Sequence, residues 1–186
     1  MTERVCPWWL GYLLASPVRG WLSGWPEDLL GPYLEPGATV VEPGPGMGFF
    51  TLPMARMVGE EGRVIAVDIQ PEMLEGLRRR VRKAGLEARV EARLGHPESL
   101  GLADMAGAAD FLLAFAVVHE APQVTSFFGQ AAAVLRPGGT LLLAEPLGHV
   151  DAEAWQRELK AAEIAGLAAI SRPKVRRSRA VLFRKV

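Results

Sequence analysis

Two kinds of hydrophobic pattern alternate along this chain. Short apolar runs of about five residues are separated by longer stretches in which apolar positions return every three or four residues. The first pattern reads as buried strands and the second as amphipathic helices. Strands are expected over 39–42, 63–67, 88–94, 110–115 and 140–145, and helices over 48–57, 71–85, 122–135 and 151–165. A short helix is expected over 98–105. Pro71 suits a first helical turn, Asp151 an N-cap, and Gly85 and Gly166 helix stops. Arg136-Pro137-Gly138-Gly139 reads as a stop and turn without chemistry of its own. Strands separated by helices predict right-handed βαβ units and a parallel sheet. The end of the chain differs. Runs at 166–171 and 179–183 have only a loop between them, so they predict an antiparallel hairpin. The fold class expected is α/β: a doubly wound, seven-stranded sheet, mostly parallel, with an antiparallel C-terminal hairpin.

Residues 1–36 do not follow this alternation. Trp8, Trp9, Trp21 and Trp25 occur here with Tyr12 and Tyr33, divided by Pro7, Pro17, Pro26, Pro32 and Pro36. One or two short helices are expected, over 8–15 and 26–30. The segment therefore reads as a Trp-rich helical extension ahead of a domain spanning 37–186. Its aromatic residues suit packing over the sheet edge, a lid over a substrate pocket, or a homodimer contact.

Composition narrows the class only a little. A chain of 186 residues with 49% hydrophobic and 23% charged positions describes one globular domain. Zero formal net charge gives no overall attraction to nucleic acid or anionic membrane. The single cysteine, Cys6, fits a reducing cytoplasm. Glu3, Pro7 and Ser16-Pro17 spoil a secretory signal, and the N-terminal apolar stretch is too short to cross a bilayer. The basic runs, 78–83 and 172–179, are most simply solvated surface, because no aromatic residue is interleaved among them.

The chemistry concentrates at Val40-Val41-Glu42-Pro43-Gly44-Pro45-Gly46-Met47-Gly48-Phe49. An apolar strand ends on a carboxylate, and three alternate glycines precede a helix. Such a turn lets backbone approach a nucleotide-like ligand closely. Asp68 stands twenty residues beyond Gly48, where an acid that binds ribose hydroxyls is expected. A dinucleotide fingerprint would need glycine at 49, and a bulky Phe49 stands there. Glu42 disfavours a pyrophosphate and favours an ammonium group. The ligand should carry a cationic end and a ribose.

Glu42-x-Gly44-x-Gly46-x-Gly48, Asp68 and Leu135-Arg136-Pro137-Gly138-Gly139, in this order and spacing, resemble class I S-adenosylmethionine-dependent methyltransferases, which are Rossmann-like. The resemblance covers roughly residues 36–186. It implies S-adenosyl-L-methionine as cofactor and S-adenosyl-L-homocysteine as product. It further implies that Glu42 and the backbone of Gly44, Pro45, Gly46 and Gly48 cradle the methionine part. Asp68 would bind both ribose hydroxyls and Ile69 would pack on adenine. Ala114 and Phe115 would contact the aminoacyl end through backbone, and His96 would lie at the adenine rim. His96 departs from the family's usual acid at that place.

All three histidines, His96, His119 and His149, follow strand ends, where open α/β sheets bind ligands. Glu120 and Glu145 share that rim. Methyl transfer needs mainly positioning, plus a base when the nucleophile must lose a proton. His119 is the candidate catalytic base, with Glu145 and His149 behind it. No His-x-x-x-His or cysteine pairing supports a metal. A small-molecule acceptor is the expected partner. Two alternatives stand: a nucleic-acid or protein acceptor reached through the basic hairpin, and a cofactor-binding protein without catalysis.

Overall fold

The computed structural model describes residues 24–186. The helix expected over 8–15, and the lid or dimer role of its aromatics, lie outside these residues. Helix α1 (Pro26–Leu30) starts on proline and runs into a 3-10 turn, Gly31–Tyr33. Tyr33 stacks on Phe111 with ring centroids 6.1 Å apart, so this aromatic packs onto the sheet. Trp25 is half exposed.

The remaining elements alternate as the apolar pattern expects. They are β1 (Thr39–Pro43), α2 (Thr51–Met57), β2 (Arg63–Asp68), α3 (Pro71–Lys83), β3 (Val90–Leu94), β4 (Ala109–Phe115), α4 (Val124–Val134), β5 (Leu135–Pro146), α5 (Ala152–Ile164), β6 (Leu167–Ser171) and β7 (Ser178–Lys185). The seven strands lie in the order β3-β2-β1-β4-β5-β7-β6. Strands β1 to β5 pair in parallel, and β7 pairs antiparallel with both β5 and β6. The chain winds outward from β1 to β3 and then returns to lay β4 on the other side of β1. The crevice between β1 and β4 is therefore the switch point at which such sheets bind ligands.

Alternation along the strands divides the core into two layers. Val40, Val64, Phe111, Leu113, Leu142 and Ala144 face α2 and α3. Val41, Ile65, Leu112, Ala114, Leu141 and Leu143 face α4 and α5. By the same alternation Glu42 belongs to the first layer and Glu145 to the second.

Three expectations need correction. The helix expected over 98–105 is only a 3-10 turn at Ala103–Met105. His96 and Ser99 exchange backbone hydrogen bonds of 2.9 and 3.0 Å, and Gly101 sits at φ 65°, so the chain spends its donors in turns. Strand β5 begins at Leu135 rather than Thr140, because Leu135 pairs with Ala109 before a bulge accommodates the glycines. The basic run in α3 is not all solvated surface. Arg80 is half-buried and donates to the Met47 carbonyl at 2.5 Å, while Arg78 stays exposed as it donates to the Ala92 carbonyl at 2.9 Å.

At the opposite end of the strands from the switch point, Asp110 ties three of them. It accepts from the Thr39 amide at 2.8 Å and from Arg136 Nε at 2.6 Å. Gly139 lies in the same corner. A Cβ there would stand 2.9 Å from the Arg136 carbonyl oxygen and 3.0 Å from that of Ala109. Both obstacles are backbone and cannot move aside cheaply. Gly139→Ala should therefore destabilise the fold by about 1–3 kcal/mol, read as a lower urea midpoint with an unchanged slope.

Candidate functional site

Each glycine of the turn after β1 sits in the left-handed region, Gly44 at φ 67°, Gly46 at 54° and Gly48 at 85°. Two of them also allow close approach. A Cβ on Gly44 would stand 2.7 Å from Val117 Cγ2, and one on Gly48 2.5 Å from Leu77 Cδ1. Around Gly46 the nearest atom is Met73 Sδ at 4.0 Å, so the middle of the turn faces open space. The turn continues to Phe50, and α2 begins only at Thr51, three residues later than periodicity suggests.

Two buried carboxylates flank the turn. Glu42 accepts a hydrogen bond from the Thr51 hydroxyl. Asp68 accepts from the Gly46 amide at 3.2 Å and the Gln70 amide at 2.9 Å. Burial pushes the Asp68 carboxyl up to about 6, and these backbone donors hold it from rising further. Asp68 thus both braces the start of α3 and faces the glycine turn.

After β4 the chain turns sharply. Ala116 adopts φ 55°, uncommon for a residue with a side chain, while its amide donates to the Ala144 carbonyl at 2.8 Å. That turn brings Val117 against Gly44 and leads into a 3-10 turn, Val118–Glu120. His119 Nδ1 lies 2.5 Å from Glu145 Oε2, and Glu145 Oε1 accepts from the Val118 amide at 2.9 Å. Glu145 is fully buried and the His119 side chain 21% exposed. With both Glu145 oxygens engaged, Nδ1 carries the proton and Nε2 points away from the carboxylate. Burial opposes charging His119, but the hydrogen bond and charge of Glu145, with Glu120 and Glu158, raise its proton affinity overall.

The other sequence candidates divide. The His149 ring lies 5.6 Å from that of His119, on the exposed loop after β5. Ile69 is partly exposed beside Asp68. Ala114 and Phe115 have buried side chains, which leaves only their backbone to meet a ligand. His96 is exposed at the end of β3, apart from the His119–His149 pair. Among the described residues no three His, Cys, Asp or Glu are grouped to hold a metal ion.

Residues 34–171 match the family described as methyltransferase domain. The chain belongs to the class I S-adenosylmethionine-dependent methyltransferase family. A solved S-adenosylmethionine-dependent methyltransferase from Aquifex aeolicus is 28% identical with a TM-score of 0.86, covering 98% of this chain and 100% of that one. An arsenite methyltransferase of Halobacterium salinarum is 38% identical over 60% of this chain and 28% of that protein. A ubiquinone biosynthesis O-methyltransferase of Methylocella silvestris is 31% identical over 66% of this chain and 45% of that protein. The chain thus matches less than half the length of these two curated relatives.

The methyltransferase domain fits S-adenosylmethionine at the β1–β4 crevice. Glu42 suits the ammonium and Asp68 the ribose hydroxyls, while an open turn at Gly46 would let backbone lie against the ligand. Sequence reading missed Thr51, which orients Glu42, and Val117, which meets Gly44. It also missed Glu158 on α5. Glu158 is 2% exposed, and its Oε2 has no hydrogen-bond partner among the described residues. Its position on the apolar face with Trp155, Ala161 and Ala162 was the available signal.

Burial, then the charge of Glu145, push the Glu158 carboxyl up to about 8 from an ordinary 4.5. Between those values the folded chain keeps a proton that the unfolded chain releases, so stability falls as pH rises through that window. Glu158→Gln removes this loss. It should leave stability nearly unchanged at pH 4.5 and raise it by about 2–5 kcal/mol at pH 8, measured by urea unfolding at both values.

Proposed function

We propose that this domain moves a methyl group from S-adenosylmethionine to a small acceptor whose nucleophilic atom carries a proton, with His119 as general base. The observation that carries this reading is the placement of the His119–Glu145 pair. It stands two residues beyond Val117, which touches the cofactor turn at Gly44. Bound S-adenosylmethionine supplies an electrophilic methyl on a sulfonium. The chain's own part is to hold and to deprotonate. Glu42 and Asp68 fix the two polar ends of the cofactor. Glu145 fixes the His119 tautomer and stabilises the imidazolium, so Nε2 can take the acceptor's proton as the new bond forms. His149 edges the same space, and Glu145, being buried, acts through His119.

The relatives' names mention arsenite and ubiquinone. Soft arsenic would call for thiolates, and these 186 residues hold one cysteine. A proton-bearing oxygen, nitrogen or carbon acceptor suits a histidine–carboxylate pair better.

One observation favours a second reading. Seven Lys or Arg and no acid follow Glu163, and the hairpin loop is fastened to the rim where the Leu147 amide donates to the Arg177 carbonyl at 2.9 Å. A polyanionic acceptor would use that surface, and its binding would weaken steeply with salt.

Calorimetry should detect binding of S-adenosylmethionine and S-adenosylhomocysteine and none of NAD. Asp68→Ala should weaken it by about tenfold. Affinity should also fall as pH drops through about 6, where Asp68 takes up its proton, and that dependence should vanish in Asp68→Asn. Tight NAD binding, or an undiminished mutant, would overturn the cofactor assignment. Across a panel of phenols, amines and acidic carbon acids, His119→Ala should lower kcat by on the order of 10²–10⁴ while cofactor affinity stays unchanged. An unaltered kcat would remove His119 from the mechanism.

A further inference from the structure

Glu158 belongs to neither the cofactor turn nor the rim, yet it is the most conspicuous polar group in the second core layer. It projects from the inner face of α5 between Trp155 and the small residues Ala161 and Ala162, all buried. The layer it enters contains Glu145, whose side chain points to that side of the sheet, and His119 caps the pair from the rim. Helix α4, the other helix in this layer, carries no titratable residue, and neither does β6. Arg157, next to Glu158, faces solvent and pairs with Glu153 at 2.9 Å. From β7, Arg179 donates to the Asp151 carbonyl and Lys185 to the Leu135 carbonyl. Glu120 and His149 face His119 from the rim. Among the described residues, the cationic partner that acts on both buried carboxylates is His119 itself.

An ionised Glu158 beside an ionised Glu145 would place two like charges in an apolar layer. The donors favour charge on Glu145, which accepts from the Val118 amide at Oε1 and faces His119 Nδ1 at Oε2. No donor reaches Glu158 Oε2 among the described residues. We infer that Glu158 is a positioning residue of the methyl-transfer site, a buried acid whose neutral form spares His119 a second carboxylate charge and so keeps Nε2 available as a base. When Glu158 does lose its proton, the added negative charge draws a proton onto His119. The two groups then share one proton, and His119 titrates in two coupled steps instead of one.

This inference rests on the reading of His119 as the base, but its test needs no acceptor and no cofactor. The His119 ring is followed by NMR between pH 5 and 10 in the unmutated protein, Glu158→Gln and Glu158→Asp. His119→Asn assigns the resonance. The unmutated protein should show a second inflection near the titration of Glu158, at about 8. Glu158→Gln should titrate in one step, and Glu158→Asp should restore two. A single step in the unmutated protein, or a second step surviving in Glu158→Gln, would overturn the inference. If Glu158→Gln fails to fold, an unmutated chain that shows one step still refutes it. Loss of the second step together with an unaltered kcat in His119→Ala would keep the coupling and refute only the base.

Discussion

The approach of the Gly44 backbone to Val117 is the constraint from which the site follows. The turn after β1 and the loop after β4 meet at the sheet's switch point, and they meet within van der Waals distance only because position 44 has no side chain. The strained backbone of Ala116 is the counterpart on the other loop, held by a hydrogen bond to Ala144 on β5. Together they join the wall that would hold the cofactor to the wall that carries His119.

The sheet also separates two kinds of work. Glu42 points into the α2–α3 layer, where the Thr51 hydroxyl orients it, and Glu145 points into the α4–α5 layer, where Val118 and His119 engage it. Both carboxylates are buried at strand ends two places apart in the sheet, yet they face opposite helices. The two carboxylates therefore engage separate partners and do not compete for one another. Alternation of side chains along a strand, a local rule, produces this division at the scale of the whole domain.

The strand pattern, the glycine turn and Asp68 were legible in the sequence because each rests on local necessity. Only glycine tolerates the left-handed turn positions that bring backbone together, and apolar runs at strand spacing have few alternatives. The stretch 98–105 was misread because its composition is helix-compatible, while the exchange between His96 and Ser99 and the turn at Gly101 are conformational choices that composition does not record. The link between His119 and Glu145 spans 26 positions and depends on β4 and β5 lying side by side. No periodicity carries that information. Glu158 was half legible: its position on an apolar helical face could be counted, but a lone glutamate there reads as an edge residue until α5 is seen against Glu145.

Asp68 and Glu158 show how a fold sets the charge of a buried acid. Both are removed from water, which raises the proton affinity of each. Asp68 sits where a glycine turn and a helix start expose amides, and those donors hold it near 6, ionised at neutral pH and able to accept from hydroxyls. Glu158 projects from mid-helix, where every nearby amide is already committed, and a neighbouring carboxylate adds its repulsion. It stays protonated to about 8. The difference lies in which backbone groups remain unspent around each side chain, and that is settled by where each stands in its element. An acid at a strand end with free amides around it keeps its charge, while the same group in the middle of a helix beside another carboxylate stays neutral.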